Sequence, residues 1–219
     1  MNALDYIANK FKIDLSTDSP IEIPNVGRNN LPEWLHDLDF KIGVEVGVAA
    51  GEYSEIICRA NPQMKVYGVD PWEAYTDYKH YVKKDAFNKL YGAAKKRLAQ
   101  YSNYEFIKDL SINALKKFKD TSLDFVYIDA NHEDPYISED IAEWSKKIRP
   151  GGIVAGHDYI KAGKARRNMN DAMEHWDVKD AVNKYVKDHN IRPWFLIGLN
   201  AKISGMIRDN SRSWMWVKQ

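Results

Sequence analysis

Acidic side chains and two histidines recur at the ends of successive apolar runs in this sequence. The positions are Glu45, Asp70, Asp109, Asp129, His132, His157 and Asp158, with Ser111 close behind the third acid. Acids are depleted within strands, so an acid at or just after each of five predicted strands is not typical of a solvated face. Carboxylates and imidazoles gathered at one crevice can bind a ribose, hold a cation or move a proton.

The stretch Lys41–Gly51, KIGVEVGVAAG, combines an apolar run with a glycine turn. The run predicts a buried strand, glycines follow at 47 and 51, and GEYSEIICRA predicts a helix. A strand, a tight turn and a helix start present free backbone N–H groups to a ligand. Glu45 lies inside the strand, where a carboxylate is costly without partners. We expect the amides of the following loop to be those partners.

Seven predicted strands, with helical patterns between most of them, must position these side chains. The strands cover residues 42–46, 64–70, 104–109, 123–129, 152–158, 193–199 and 212–218. Strands that alternate with helices predict a parallel sheet covered on both faces, with its ligand crevice beyond the carboxyl ends. The last two strands have no helix between them and should pair antiparallel. The predicted fold class is α/β, with a mostly parallel seven-stranded sheet and an antiparallel last strand.

Three segments have more than one interpretation. Residues 1–30 are predicted as an N-terminal helical arm that could cap the core, form a dimer contact or lie over the crevice, while residues 31–219 form one domain. Residues 159–176 are predicted as an insertion in that domain, and its basic side chains could recognise an anionic substrate or form a solvated loop: Lys161, Lys164, Arg166 and Arg167. Four aromatic residues could line a ligand cavity or belong to the core: Trp72, Tyr75, Tyr78 and Tyr81.

Composition argues against several classes of protein. The net charge is +1 over 219 residues, which disfavours a strongly basic nucleic-acid binder. The single cysteine, Cys58, leaves no internal disulfide and indicates a reducing compartment. No apolar run approaches the roughly 20 residues of a membrane span, and the N-terminus lacks a signal-peptide pattern. We expect a cytoplasmic protein that acts on a small molecule, without a membrane or nucleic-acid partner. The sequence leaves open whether it forms a homo-oligomer.

The motif Glu45-x-Gly47-x-x-x-Gly51, followed by Asp70, Asp109–Ser111 and the late antiparallel pair, resembles the class I S-adenosylmethionine-dependent methyltransferases. The resemblance covers about residues 30–219 and implies a Rossmann-like fold. It implies that the glycines admit the methionine part, Glu45 organises the loop, Asp70 takes the ribose hydroxyls and Asp109–Ser111 flanks adenine. The implied cofactor-binding residues are Glu45, Gly47, Val48, Gly51, Ser54, Asp70, Trp72, Asp109, Leu110, Ser111 and Asp129. Ala49 stands where a dinucleotide enzyme has its second glycine, which disfavours an oxidoreductase.

Residues 124–159, DFVYIDANHEDPYISEDIAEWSKKIRPGGIVAGHDY, resemble a narrower branch that contains the macrocin and mycinamicin sugar O-methyltransferases. The resemblance implies a divalent metal, magnesium or manganese, held by Asp129, His157 and Asp158. It implies catalytic roles for Asp129 and for His132 as the base. His157 departs from the branch, whose sugar enzymes have glutamate there. It is either an imidazole ligand, which manganese or zinc accepts better than magnesium, or a residue behind the ligands.

A hydroxyl is a weak nucleophile until it loses its proton, and the implied residues address that problem. A divalent cation lowers the pKa of a coordinated hydroxyl, and a histidine can take the proton before the oxygen attacks the sulfonium methyl group. We therefore expect an S-adenosylmethionine-dependent O-methyltransferase that acts on a small hydroxyl compound such as a sugar. The alternatives are a metal-independent methyltransferase with a histidine base and a non-catalytic protein that binds S-adenosylmethionine.

Overall fold

A single mixed sheet organises the protein. The computed structural model describes residues 2–73, 84–160, 166–167, 173–174, 177–198 and 211–219. The strands are β1 Ile21–Glu22, β2 Ile42–Val46, β3 Lys65–Val69, β4 Tyr104–Ile107, β5 Leu123–Ile128, β6 Ile148–Gly156, β7 Arg166–Arg167, β8 Met173–Glu174, β9 Trp194–Ile197 and β10 Ser213–Val217. Eight of them form the sheet, in the order β1-β9-β10-β6-β5-β2-β3-β4.

The strand directions agree with the predicted fold class. The neighbours β6, β5, β2, β3 and β4 are all parallel, and β10 is antiparallel to both β6 and β9. The mostly parallel sheet with an antiparallel last strand is therefore confirmed. The eighth strand, β1, comes from the N-terminal arm and pairs with β9 through only two residues. A strand that short carries no periodicity that a sequence pattern could reveal.

Helices cover both faces of the sheet. They are α1 Ala3–Phe11, α2 Leu31–Asp37, α3 Glu52–Ala60, α4 Lys84–Leu98, α5 Ser111–Ala114, α6 Tyr136–Lys147 and α7 Val178–Asp188, with short 3₁₀ turns at Arg28–Asn30 and Leu115–Lys117. Every residue of β5 is buried. Phe125 and Tyr127 pack on the side of α1, α2 and α3, whereas Val126 and Ile128 pack on the side of α6 and α7. Burial on both faces explains the apolar run Phe125–Ile128 of this strand.

The N-terminal arm is attached to the edge of the sheet. Ile7 of α1 is fully buried, and Ile23 and Val26 belong to the same core cluster. The N–H of Ile23 donates to Leu196 at 3.0 Å, and the N–H of Gly198 donates to Val26 at 2.8 Å. The arm therefore holds its last residues in place beside the carboxyl end of β9. A domain boundary at residue 30 stays a prediction.

The predicted insertion at 159–176 is described only in part. Residues 166–167 and 173–174 form a two-stranded antiparallel pair. Lys161 and Lys164 lie outside the described residues, as do Tyr75, Tyr78 and Tyr81. Of the helices that the structure describes, none has the length and apolar character that a membrane crossing requires.

Candidate active site

A cavity of about 530 Å³ lies at the carboxyl ends of β2, β3, β4 and β5. This is the position at which open α/β sheets bind their ligands. The predicted site residues on its wall are Glu45, Gly47, Val48, Asp70, Trp72, Leu110, Ser111, Asp129 and His132. Other predicted residues are not part of the wall: Gly51, Ser54, Asp109, His157 and Asp158. The structure thus brings most of the predicted set to one cavity, and the remainder lies behind or beside it.

The glycine turn after β2 is packed directly against the end of β5. Gly47 has a φ of +90°, and a Cβ added to it would lie 2.0 Å from the carbonyl oxygen of Asp129. Gly51 has a φ of +78°, and its added Cβ would lie 2.8 Å from Leu98 Cδ1. The left-handed backbone disfavours a side chain at both positions, and at Gly47 the backbone of Asp129 excludes one by contact as well. The turn therefore brings its backbone next to Asp129.

Asp70 at the end of β3 holds the glycine turn through its side chain. One oxygen of its carboxylate accepts the N–H groups of Val48 at 3.0 Å and Ala49 at 2.9 Å. The other accepts the N–H of Trp72 at 2.7 Å, and the Trp72 indole donates to the Ala49 carbonyl at 2.8 Å. Burial raises the pKa of Asp70, and these three backbone hydrogen bonds oppose the shift. Asp70 is therefore the residue that organises the loop.

Glu45 does not contact the loop amides, which corrects the expectation for its partners. It is only 2% exposed, and the hydroxyl of Ser54 on α3 donates to its carboxyl group. Burial raises the pKa of Glu45 to about 8, although the Ser54 hydrogen bond opposes the shift. Glu45 is accordingly neutral near pH 7. The loop amides donate to Asp70 instead, because its carboxylate follows the neighbouring strand β3 and lies beside the turn.

A second buried acid marks the far end of the cavity, near β4. Ser111 Oγ donates to the carboxylate of Asp140 on α6, and the Trp144 indole donates to Ser111 Oγ at 2.8 Å. Burial raises the pKa of Asp140 to about 7, against the effect of the Ser111 hydrogen bond. Asp109 instead accepts the N–H of Leu110 at 2.8 Å and lies off the wall. Asp140 escaped the sequence analysis because an acid in an amphipathic helix looks like a surface residue.

Two acids and two histidines cluster after β5 and β6. His132 Nε2 lies 3.4 Å from Asp129 Oδ1 and 3.1 Å from Asp158 Oδ2. His157 Nδ1 lies 3.2 Å from Asp158 Oδ1 and 3.8 Å from Asp129 Oδ2. Burial disfavours the ionised form of Asp158, but the His157 hydrogen bond and the charges of both histidines outweigh it, so the pKa of Asp158 lies below its usual value.

Three residues of this cluster could hold a metal ion. One ligand atom from each of Asp129, His132 and Asp158 lies within 4.8 Å of the others. Carboxylate oxygens and an imidazole nitrogen suit manganese or zinc, and magnesium less well. His157, the predicted ligand, is not in this group. Its Nε2 is buried, with no hydrogen-bond partner among the described residues.

Arg28 is a residue of the site that the sequence analysis did not identify. Its Nη1 lies 3.1 Å from Asp129 Oδ2 on the cavity wall. Its guanidinium stands over the ring of Tyr53 on α3, 5.6 Å from the centroid, and the Tyr53 hydroxyl donates to the Arg28 carbonyl at 3.0 Å. The arginine is 101 residues from Asp129 in the chain, so no local spacing pointed to it.

Comparisons with known proteins agree with this geometry. The O-methyltransferase from Bacillus cereus, solved in complex with SAH, has a TM-score of 0.58 at 13% identity, with 99% of this chain and 89% of that chain covered. TomG from Streptomyces achromogenes, an O-methyltransferase involved in tomaymycin synthesis and solved with SAM, has a TM-score of 0.58 at 16% identity, covering 99% and 90%. At these identities the likeness shows the shared Rossmann-like methyltransferase fold. No curated protein sequence gives a match.

A family model described as a methyltransferase domain matches residues 44–159. The matched segment begins in β2 and ends just after Asp158, so it contains the glycine turn and Asp70. It also contains the acid–histidine cluster, which consists of Asp129, His132, His157 and Asp158. It covers more than half of the 219 residues. The chain therefore belongs to the Methyltransf_24 family of methyltransferase domains, and the prediction that it is a methyltransferase is confirmed.

Proposed function

We propose that this protein transfers a methyl group from S-adenosylmethionine to a hydroxyl group of a small molecule such as a sugar, with the assistance of a divalent cation. The observation that carries the proposal is the position of the acid–histidine cluster. Asp129 and His132 line the same cavity as the glycine turn, and the backbone of Gly47 touches that of Asp129. A methyl donor on the turn would thus present its reactive end to the cluster.

The cavity offers distinct surroundings to each part of the cofactor. One end of the cavity, next to the predicted ribose partner Asp70, suits adenine. It is formed by Leu110, Ser111 and Asp140, whose pKa is raised to about 7. The turn at Gly47 follows β2, which lies between β5 and β3 in the sheet, so the turn lies between that end and Asp129. A ligand that extends from β4 towards β5 therefore brings the atoms beyond its ribose to Asp129. This orientation holds the sulfonium methyl group close to the acceptor hydroxyl and supplies much of the rate by proximity.

The roles of Asp129, His132 and Asp158 follow from their contacts. These three residues would hold a divalent cation, which when bound lowers the pKa of an acceptor hydroxyl and orients it. Asp129 and Asp158 flank His132 Nε2 and stabilise a positive charge there. One nitrogen cannot bind a cation and take a proton at the same time. His132 is therefore a ligand in the metal-assisted reaction and a base in the metal-independent alternative.

The alternative reaction has an observation of its own in its favour. Arg28 already places a positive charge on Asp129, so this cluster is less negative than its two carboxylates alone would make it. A weaker negative field attracts a divalent cation less strongly. In that case His132 takes the hydroxyl proton, and the two carboxylates beside its Nε2 stabilise the imidazolium that results. The macrocin-like branch and a sugar acceptor remain part of the first proposal only.

Transfer of labelled methyl from S-adenosylmethionine to a panel of hydroxyl compounds tests the proposal. Product formation excludes a non-catalytic binding protein. The reaction is repeated in excess chelator and then with added Mg²⁺ or Mn²⁺. Loss in chelator with recovery on metal addition supports the metal-assisted reaction, and full activity in chelator supports the histidine base. Asp158→Ala should abolish the metal response, while Asp120→Asn, an exposed acid paired with Lys147, serves as the control.

A further inference from the structure

We infer that Arg28, delivered by the N-terminal arm, is the anchor for the carboxylate of the cofactor's methionine part. The inference rests on the proposed use of S-adenosylmethionine and adds a binding residue to that site. It assigns a function to the arm, which the sequence alone left among three possibilities. Four observations carry it: the charges around the cavity, the position of Arg28, its support and its attachment to the sheet.

The cavity wall is strongly acidic. Its carboxyl-bearing residues are Glu45, Glu52, Asp70, Glu73, Asp129, Glu139 and Asp140, and burial raises the pKa of two of them, Glu45 to about 8 and Asp140 to about 7. Arg28 is the only lysine or arginine on the part of the wall that the structure describes. S-adenosylmethionine carries a sulfonium and an ammonium group, which an acidic wall attracts, and one carboxylate, which it repels. A cation is needed where that carboxylate lies, and Arg28 supplies it.

Arg28 lies at the correct end of the cavity for this task. The predicted ribose and adenine contacts, Asp70 and Ser111, follow β3 and β4. Asp129, which Arg28 contacts at 3.1 Å, follows β5 on the other side of β2. The methionine part of a cofactor with its adenosine over β3 and β4 must extend towards β5. Its carboxylate then comes within reach of the guanidinium.

The guanidinium can serve Asp129 and a ligand together. An arginine has five N–H donors in a planar fork, so one guanidinium can contact Asp129, the Tyr127 hydroxyl and a further carboxylate. The Tyr53 ring supports the guanidinium at 5.6 Å, and the Tyr53 hydroxyl holds the Arg28 carbonyl. Both contacts come from the first turn of α3, the helix that the glycine turn begins. The arginine and the turn are thereby held as one unit.

The attachment of the arm keeps Arg28 in place before a ligand arrives. Val26 and Ile23 are buried, and their backbone groups are hydrogen-bonded to the residues of β9 and the turn after it. The Asn30 side chain accepts the N–H of Gly27 at 3.0 Å and closes the short turn that carries Arg28. A group that is already positioned loses little freedom on binding, so more of its interaction appears as affinity.

Two ligands that differ only in the carboxylate test the inference. S-adenosylhomocysteine has it, and S-adenosyl-3-thiopropylamine lacks it but keeps the adenosine, the thioether and the amine. Titration calorimetry compares the wild type with Arg28→Gln and with Arg59→Gln, a control that removes the charge of an exposed arginine on α3. We expect Arg28→Gln to weaken S-adenosylhomocysteine binding about 10- to 100-fold and to leave the amine's affinity within about 2-fold. Arg59→Gln should change neither affinity.

The outcomes separate this inference from the proposed function. Equal losses for both ligands in Arg28→Gln would mean that the arginine only supports the cavity, and unchanged affinity for both would mean that it is not a contact. Either result overturns the inference and leaves the cofactor assignment intact. A wild-type protein that binds neither ligand overturns the cofactor assignment and the inference together.

Discussion

The side-chain carboxylate of Asp70 accepts the backbone N–H of Ala49 at 2.9 Å and thereby ties the end of β3 to the glycine turn. The same oxygen accepts the N–H of Val48 at 3.0 Å. The other oxygen accepts the N–H of Trp72 at 2.7 Å, so both side-chain oxygens must be acceptors, which a carboxylate provides and an amide does not. The shape of the cofactor cavity thus depends on an acid that the sequence analysis assigned to the ribose.

Replacement of Asp70 by Asn should disturb the turn itself. The amide can turn its single acceptor oxygen towards Val48 and Ala49 or towards Trp72, so at least one buried N–H loses its partner. We expect a loss of about 1–3 kcal/mol in the free energy of unfolding, measured by urea denaturation, and weaker binding of S-adenosylhomocysteine. The exposed Asp120→Asn is the control. Unchanged stability with weakened binding would show that Asp70 serves the ligand alone.

The buried carboxyl group of Glu45 should give the protein a stability that falls as the pH rises. Its pKa is about 8 in the folded protein against an ordinary 4.5. Between these values the folded state holds a proton that the unfolded state has released. The contribution is complete below pH 4.5 and is lost as the pH rises through 8. The slope for one such proton is about −1.4 kcal/mol per pH unit.

Glu45→Gln isolates this effect because the amide stays neutral at every pH and still pairs with Ser54. Thermal unfolding between pH 6 and 9 should decline less steeply in the variant than in the wild type. Glu105→Gln, on an acid whose side chain is 53% exposed, should keep the wild-type slope. Parallel curves for the wild type and Glu45→Gln would contradict the raised pKa.

The sequence predicted those features that depend on local pattern. Alternation of strands and helices placed Glu45, Asp70, Asp129 and Asp158 at strand ends, because each apolar run ends where a strand leaves the core. It did not predict which carboxylate would hold the turn. That choice depends on the spacing between β2 and β3, which only the folded sheet sets.

The missed residues are those whose neighbours are distant in the chain. Arg28 lies in a short 3₁₀ turn of the N-terminal arm, and the hydrogen bonds of the arm to β9 and to Gly198 bring it to Asp129. Asp140 looks like a solvated helix acid until α6 packs against Ser111. The sequence left His157 as either a metal ligand or a residue behind the ligands, and the geometry groups His132 with the two acids. Side-chain direction at a strand end is not encoded in spacing alone.

Gly47 and Gly92 should respond in opposite directions to the same added methyl group. In Gly47→Ala the Cβ would lie 2.0 Å from the Asp129 carbonyl oxygen, on a backbone with a φ of +90°. We expect a loss of about 3 kcal/mol or more in the free energy of unfolding. Gly92 lies inside α4 with no atom within 4 Å of its added Cβ, so Gly92→Ala should stabilise the protein by about 1 kcal/mol. Similar unfolding midpoints for both variants would contradict the packing of the turn against β5.

The identity of the third metal ligand can be decided by comparing the two histidines. Asp129, His132 and Asp158 bring ligand atoms within 4.8 Å of one another, and His157 Nδ1 is engaged by Asp158 at 3.2 Å. We expect His132→Gln to lower Mn²⁺ affinity at least about 10-fold and His157→Gln to lower it less, since His157 acts by orienting Asp158. Titration calorimetry and the Mn²⁺ electron paramagnetic resonance signal measure this without turnover. A larger loss in His157→Gln would restore the ligand set that the resemblance implied, and no Mn²⁺ binding by the wild type would favour the histidine-base reaction.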